Sequence, residues 1–178
     1  MKNLALIILS TLLFFLGIYS IISLIPKNNI TIAQTIDVTV QENGSLKLAN
    51  DIISYETTFS KLLEILNKYD KSKKINIGYL YQNLGIYVGG YNNEISFIIL
   101  YYHKTKSFPS AKEFSGNVTL KNSIIDKNLT YNLFKSTFNS SESWENLYLV
   151  KQSNLDIYFN FEEKNLISLK FVFMGPTI

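Results

Sequence analysis

The chain has 178 residues, 47% of them apolar, with 17 basic and 14 acidic side chains and one histidine. That balance excludes a disordered chain and fits one ordinary domain behind a short leader. There is no cysteine, and every basic residue is lysine; disulfides, thiolate metal centres, a cysteine nucleophile and a lipid-acylated cysteine are excluded, and the arginine forks typical of nucleic-acid binders are missing.

After Met1-Lys2-Asn3, a run of 22 uncharged residues begins at Leu4, ends at Ile25 and is closed by Pro26. As a helix it would be about 33 Å long, enough to cross the hydrocarbon of a bilayer. Residues 1–26 are therefore expected to form a transmembrane anchor. The run exceeds the roughly 7–15 apolar residues of a cleavable signal. Thr31-Ile32-Ala33 nevertheless offers a cleavage site, so a signal that is removed to release a secreted protein is the alternative. Lys2 and Lys27 flank the run equally, and the usual behaviour of a first segment places the rest outside the cytoplasm. The expected location is the inner membrane, with the domain in the periplasm or at the cell exterior. Residues 27–34 are polar and form a linker, leaving 35–178 as a single domain.

Within that domain, Ile36, Val38 and Val40 alternate with Asp37 and Thr39, the pattern of a half-buried strand. Asn43-Gly44 signals a hairpin, with Leu46 and Leu48 on the returning strand. The period then becomes helical: Phe59, Leu62, Leu63, Leu66 and Tyr69 share one face, Lys61, Glu64 and Lys68 the other. With Thr57 or Thr58 as cap, this predicts one main helix from about Thr58 to Tyr69, the natural cover for a sheet. Strands are expected at 75–81 and 84–88 around a kink at Asn83 or Gly85, and a turn at Gly89-Gly90-Tyr91-Asn92-Asn93. The segment 94–102 is apolar on both faces, as in an interior strand covered on each side. A loop around Pro109, short strands at 117–120 and 123–125, a second short helix at 130–138 and a strand at 144–150 follow. Leu155, Ile157, Phe159 and Phe161 alternate with polar residues, Glu163-Lys164-Asn165 turns the chain, and Ile167, Leu169, Phe171 and Phe173 form a last inward row. The expected fold class is α+β: an N-terminal transmembrane or signal helix, then a mostly antiparallel sheet packed against the one main helix.

Catalytic chemistry finds few candidates. His103 stands alone at the end of the most apolar strand, and a general base needs a nucleophile and an orienting acid beside it. A histidine metal site needs more than one imidazole. Glu162 and Glu163 are adjacent, so on a strand they point to opposite faces and cannot act as a glycosidase pair. Gly85, Gly89 and Gly90 lie between strands, where no helix N-terminus can cradle phosphate. No catalytic residue, metal or cofactor is expected. The aromatic content, with 12 tyrosines, 12 phenylalanines and one tryptophan, is the more useful signal. Tyr81, Tyr102 and Tyr158 at outward strand positions, with His103 at a strand end, are the candidate binding residues. The alternative is that tyrosine merely suits a half-buried strand.

The segment Tyr79-Leu80-Tyr81-Gln82-Asn83-Leu84-Gly85-Ile86, the apolar strand at 95–100 and the stretch from Pro109 through Phe114-Ser115-Gly116 to Leu120 resemble a family of uncharacterised bacterial α+β domains. In that family a tyrosine-x-tryptophan-aspartate turn precedes Gly-Ile, and a Pro…Phe-x-Gly segment opens a later strand. Here Tyr81 stands in the place of tryptophan, and Gln82 and Asn83 in the place of acids. The resemblance spans about Ile36 to Phe173 and implies an antiparallel sheet with a helix, in a small bacterial accessory protein.

The functional expectation is a membrane-tethered extracytoplasmic interaction domain, a toxin inhibitor of the immunity type being one form of it. Its partners would be the membrane, through residues 4–25, and a protein; nucleic acid is not expected. The alternatives are an enzyme acting on cell-envelope polymer or lipid, and a structural component of an envelope assembly.

Overall fold

The computed structural model describes residues 35–175; the expected anchor and linker lie outside them. Alternation in the chain becomes strand after strand. β1 (Val38–Val40), β2 (Leu46–Leu48) and β3 (Asp51–Ile53) form a meander, and α1 (Phe59–Leu66) follows it. Next come β4 (Ser72–Ile75), β5 (Gly78–Tyr81), β6 (Ile86–Tyr91) and β7 (Glu94–Tyr101). A connection, 102–117, leads to β8 (Val118–Leu120) and β9 (Ser123–Ile125), then α2 (Tyr131–Thr137). β10 (Ser141–Trp144), β11 (Leu147–Gln152), β12 (Leu155–Glu162) and β13 (Asn165–Phe173) complete the described chain.

The strands make two sheets. The small one has the order β3-β2-β1-β8-β9, with β1 and β8 parallel; the large one has the order β10-β11-β12-β13-β7-β6-β5-β4, antiparallel throughout. β13 is thus inserted between β12 and β7, joining the last meander to the earlier one.

Both sheets turn apolar faces into one core. Across the large sheet the inner row runs Tyr81, Ile86, Leu100, Leu169, Phe159 and Tyr148, every member buried. Val38, Val40, Leu46, Leu48, Ile53, Val118, Leu120 and Ile125 belong to the same cluster from the small sheet. The two helices add Leu62, Ile65 and Leu66 from α1 and Phe134 from α2. Thr58 caps α1 by accepting from the Lys61 N–H at 3.3 Å, and Thr130 caps α2 through the Leu133 N–H at 3.4 Å.

The α+β expectation is therefore corrected: the described chain is mostly β, and the sheet does not pack on one main helix. α1 has 8 residues, not the twelve from Thr58 to Tyr69, because Asn67 caps it and Tyr69 falls in the turn beyond. A helix of that length reaches about 12 Å, whereas eight strands span roughly 34 Å. The sheet needs a wider cover, and the second sheet supplies it. Periodicity identified the helix but could not show that the short strands around it form a layer of their own.

Two local expectations also change. Gly89 and Gly90 lie inside β6, and the reversal falls at Asn92 and Asn93, with φ of 49° and 63°. The single strand expected at 144–150 is divided by a turn at Asn146, φ 59°, into β10 and β11. In each case asparagine takes the left-handed conformation that its short side chain tolerates.

Candidate binding face

Two register rows of the large sheet's outer face frame the site. The longer runs Lys73, Leu80, Tyr87, Ile99, Lys170, Tyr158, Leu149 and Ser141, one residue from each strand. The neighbouring row is Tyr101, Ser168, Asn160, Leu147 and Trp144.

The connection 102–117 folds back over the β5–β7 half of this face. The Phe108 ring lies 5.0 Å from that of Tyr87 and 5.7 Å from that of Tyr101. Leu80 and Tyr87 are buried beneath it and form, with the loop's own Ala111, a cluster separate from the main core. Hydrogen bonds fasten the loop. Gln82 Nε2 donates to the Ser110 carbonyl at 2.8 Å, and the Lys112 N–H donates to the Gln82 carbonyl at 2.8 Å. The Phe114 N–H donates to the Tyr101 carbonyl at 2.6 Å.

Glycine makes two close approaches feasible, one by the loop and one within the sheet. Gly85 has φ +68°, and a Cβ there would stand 2.6 Å from the Lys112 carbonyl oxygen. At Gly89 a Cβ would stand 2.3 Å from the Phe97 ring, which lies across the bare backbone.

On the far half, over β10–β13, the face stays open. Where loop and open sheet meet there is a groove of about 550 Å³. One wall is Lys104, Thr105, Lys106 and Ser107 of the loop; Tyr158, Asn160, Ser168 and Lys170 form the floor. Glu162 is the one carboxylate lining it among the described residues. Beyond it stands Trp144, 77% exposed.

The four candidate binding residues separate. Tyr158 lies on the groove floor, cross-strand from Lys170 and Leu149. Tyr81 is not outward: it is fully buried, its hydroxyl donates to the Leu63 carbonyl at 3.3 Å, and burial pushes its phenol up to about 12. Tyr102 is buried as well, donating to the Ile125 carbonyl at 3.3 Å and meeting Phe114 edge-on at 5.6 Å. Burial raises its phenol far above the ordinary range. Both tyrosines have the parity of the inward residues beside them, Tyr102 with Ile98 and Leu100. His103 opens the loop, half-buried, and its Nε2 makes no hydrogen bond within the described residues.

The sequence reading missed Trp144, Asn160, Lys104, Lys106 and Lys170. Trp144 carried a usable signal, since Glu145-Asn146 after it is a turn dipeptide. The lysines carried none, because only the fold of the loop brings them to Lys170. Gln82 and Asn83 have structural work: Gln82 holds the loop, and Asn83 donates from its backbone and side-chain nitrogens to the Asp70 carboxylate, both at 2.8 Å.

Two facing β-sheets with a loop clasped over one outer face define the class: a mostly-β, two-sheet domain. The model of a family described as a domain of unknown function, DUF7738, matches residues 35–135, more than half of the chain, and the chain belongs to that family. No curated protein and no solved structure matches it. The matched region contains the loop wall of the groove, while Tyr158, Asn160, Ser168 and Lys170 lie beyond it.

Proposed function

We propose that this chain is a binding protein of bacterial origin, tethered outside the cytoplasm by residues 4–25, whose open large-sheet face receives a partner protein. Inhibition of a toxin, as in immunity proteins, is the form of that role we favour. The observation that supports it is the asymmetry of the outer face. One half is sealed by the chain's own loop; the other leaves Trp144 exposed beside the half-buried Leu147, Leu149 and Tyr158. Exposed tryptophan among tyrosine and aliphatic side chains is the composition of an energetic centre in protein interfaces, and a sheet gives it a rigid base.

Photo-cross-linking in the native cells tests this. A photoreactive residue in place of Tyr158 should give a discrete protein adduct, and one in place of Thr39, on the outer face of the small sheet, should not. No adduct at Tyr158, or the same adduct from both positions, would overturn the proposal.

A further inference from the structure

We propose that the groove between loop residues 104–107 and strands β12 and β13 takes an extended acidic segment of the partner, carboxylate side chains against its lysines; this rests on the binding role above. The charge around the groove is lopsided. Lys104, Lys106 and Lys170 line it against Glu162 alone. None of the three lysines is ion-paired among the described residues, whereas Lys61 and Lys68 pair with Glu64 and Asp51. The Lys170 ammonium sits 5.2 Å from the centre of the Phe97 ring, so it is already positioned before anything binds.

The floor adds short-range recognition. The Tyr158 hydroxyl, the Asn160 amide and the Ser168 hydroxyl are donors a carboxylate can use, while Ile99, Leu147 and Ile167 give apolar surface between them. The row from Tyr101 to Trp144 crosses four strand spacings, about 19 Å, the reach of roughly six extended residues. Such a segment would meet the lysines near one end and Trp144 at the other. This mixture favours a polypeptide, carrying carboxylates beside apolar side chains, over a purely anionic polysaccharide, which would leave Trp144 and Leu149 without a counterpart. Lysine also suits this ligand: an ammonium is a point charge that a single carboxylate can satisfy, with no need for arginine's fork.

The test uses the full chain in detergent and a fluorescent peptide alternating glutamate and leucine, with a glutamine-leucine peptide and a sulfated polysaccharide as comparisons. The glutamate peptide should bind best, and its affinity should fall as salt rises. Lys104→Gln with Lys106→Gln, both exposed, should leave the thermal melt unchanged and weaken binding about tenfold. Lys73→Gln with Lys74→Gln, on the distant edge strand β4, should leave binding unchanged. Equal affinity for the glutamine peptide, tighter binding of the polysaccharide, or equal loss in the β4 pair would each overturn the acidic-segment assignment. The Tyr158 cross-link separates the two levels. An adduct on a neutral or basic partner segment overturns the acidic occupant and leaves the binding role standing; loss of both the adduct and peptide binding overturns both.

Discussion

Tyr81, Tyr101 and Tyr102 each give up solvent to fill a layer, and each keeps its proton more tightly for that reason. Burial pushes Tyr81 and Tyr101 from the ordinary value of 10.0 up to about 12. In the unfolded chain these phenols ionise near 10, so between 10 and 12 the folded state holds more protons than the unfolded one. Stability is then complete below pH 10 and falls as pH rises towards 12. Denaturant midpoints measured across that interval should decline, and Tyr81→Phe should make the decline shallower. An unchanged slope in the variant would show that Tyr81 ionises freely in the folded chain. The same residues show how far single positions could be read. Tyr81 and Tyr102 read from the sequence as outward binding residues and are buried, because aromatic alternation does not reveal which parity faces the core. That choice is made by Leu100 and Ile86, whose cross-strand partners are equally apolar.

The loop 102–117 is the element on which the groove depends, since it converts part of a flat sheet face into a wall. Its grip is shared: Phe108 lies over Tyr87 and Tyr101, Ala111 and Phe114 are buried, Gln82 donates to the Ser110 carbonyl, and the Tyr101 carbonyl accepts from the Phe114 N–H. Phe108 is only half-buried, so Phe108→Ala should cost about 1–3 kcal/mol, below the range for a phenylalanine deleted from a core. The loss should be local. Hydrogen exchange at the Lys112 and Phe114 amides should accelerate while β12 and β13 keep their protection. Equal acceleration everywhere would mean that the loop is part of the global folding unit. This element was half legible in the sequence. Pro109 and its polar neighbours announced a loop, and the Phe-x-Gly pattern marked its end, but nothing local says that a loop crosses a sheet face. The helices were more legible, because Thr58 and Thr130 cap them and Leu62 and Leu66 keep helical spacing, although the buried Ile65 stands where Leu63 was expected to face the core. β12 was plainest of all, since strict alternation from Leu155 to Phe161 needs no tertiary information, but on β13 a register shift buries Leu166 in place of Ile167, which was expected in the inward row.

At the scale of the whole molecule, the sheet order governs what can fold. The family match ends at residue 135, inside α2, as though 35–135 were a folding unit. The topology argues otherwise. β13 pairs with β7 through Ser168, Leu169, Lys170 and Phe171, so removing everything after 135 strips the hydrogen-bonding edge of β7 at the centre of the large sheet. It also deletes Val150, Leu155, Ile157, Phe159, Phe161, Leu166, Leu169 and Phe171, all buried. Each such side chain contributes about 1.5–3 kcal/mol on burial, so the loss is comparable to or larger than the roughly 5–15 kcal/mol by which a domain is stable. The apolar residues of β1, β2 and β8 would lose the members that β12 and β13 supply to their shared core. A fragment of residues 35–135 should therefore show no cooperative thermal transition and should bind a dye for exposed apolar surface, whereas 35–175 should melt in a single step. A cooperative melt of the shorter fragment would mean that β4–β7 and the small sheet close a core of their own. Connections of this kind were the least legible part of the sequence, because β7 and β13 are far apart in the chain and both are apolar on their core sides. Their complementarity is one of shape and register, and it exists only once each strand has a sheet around it.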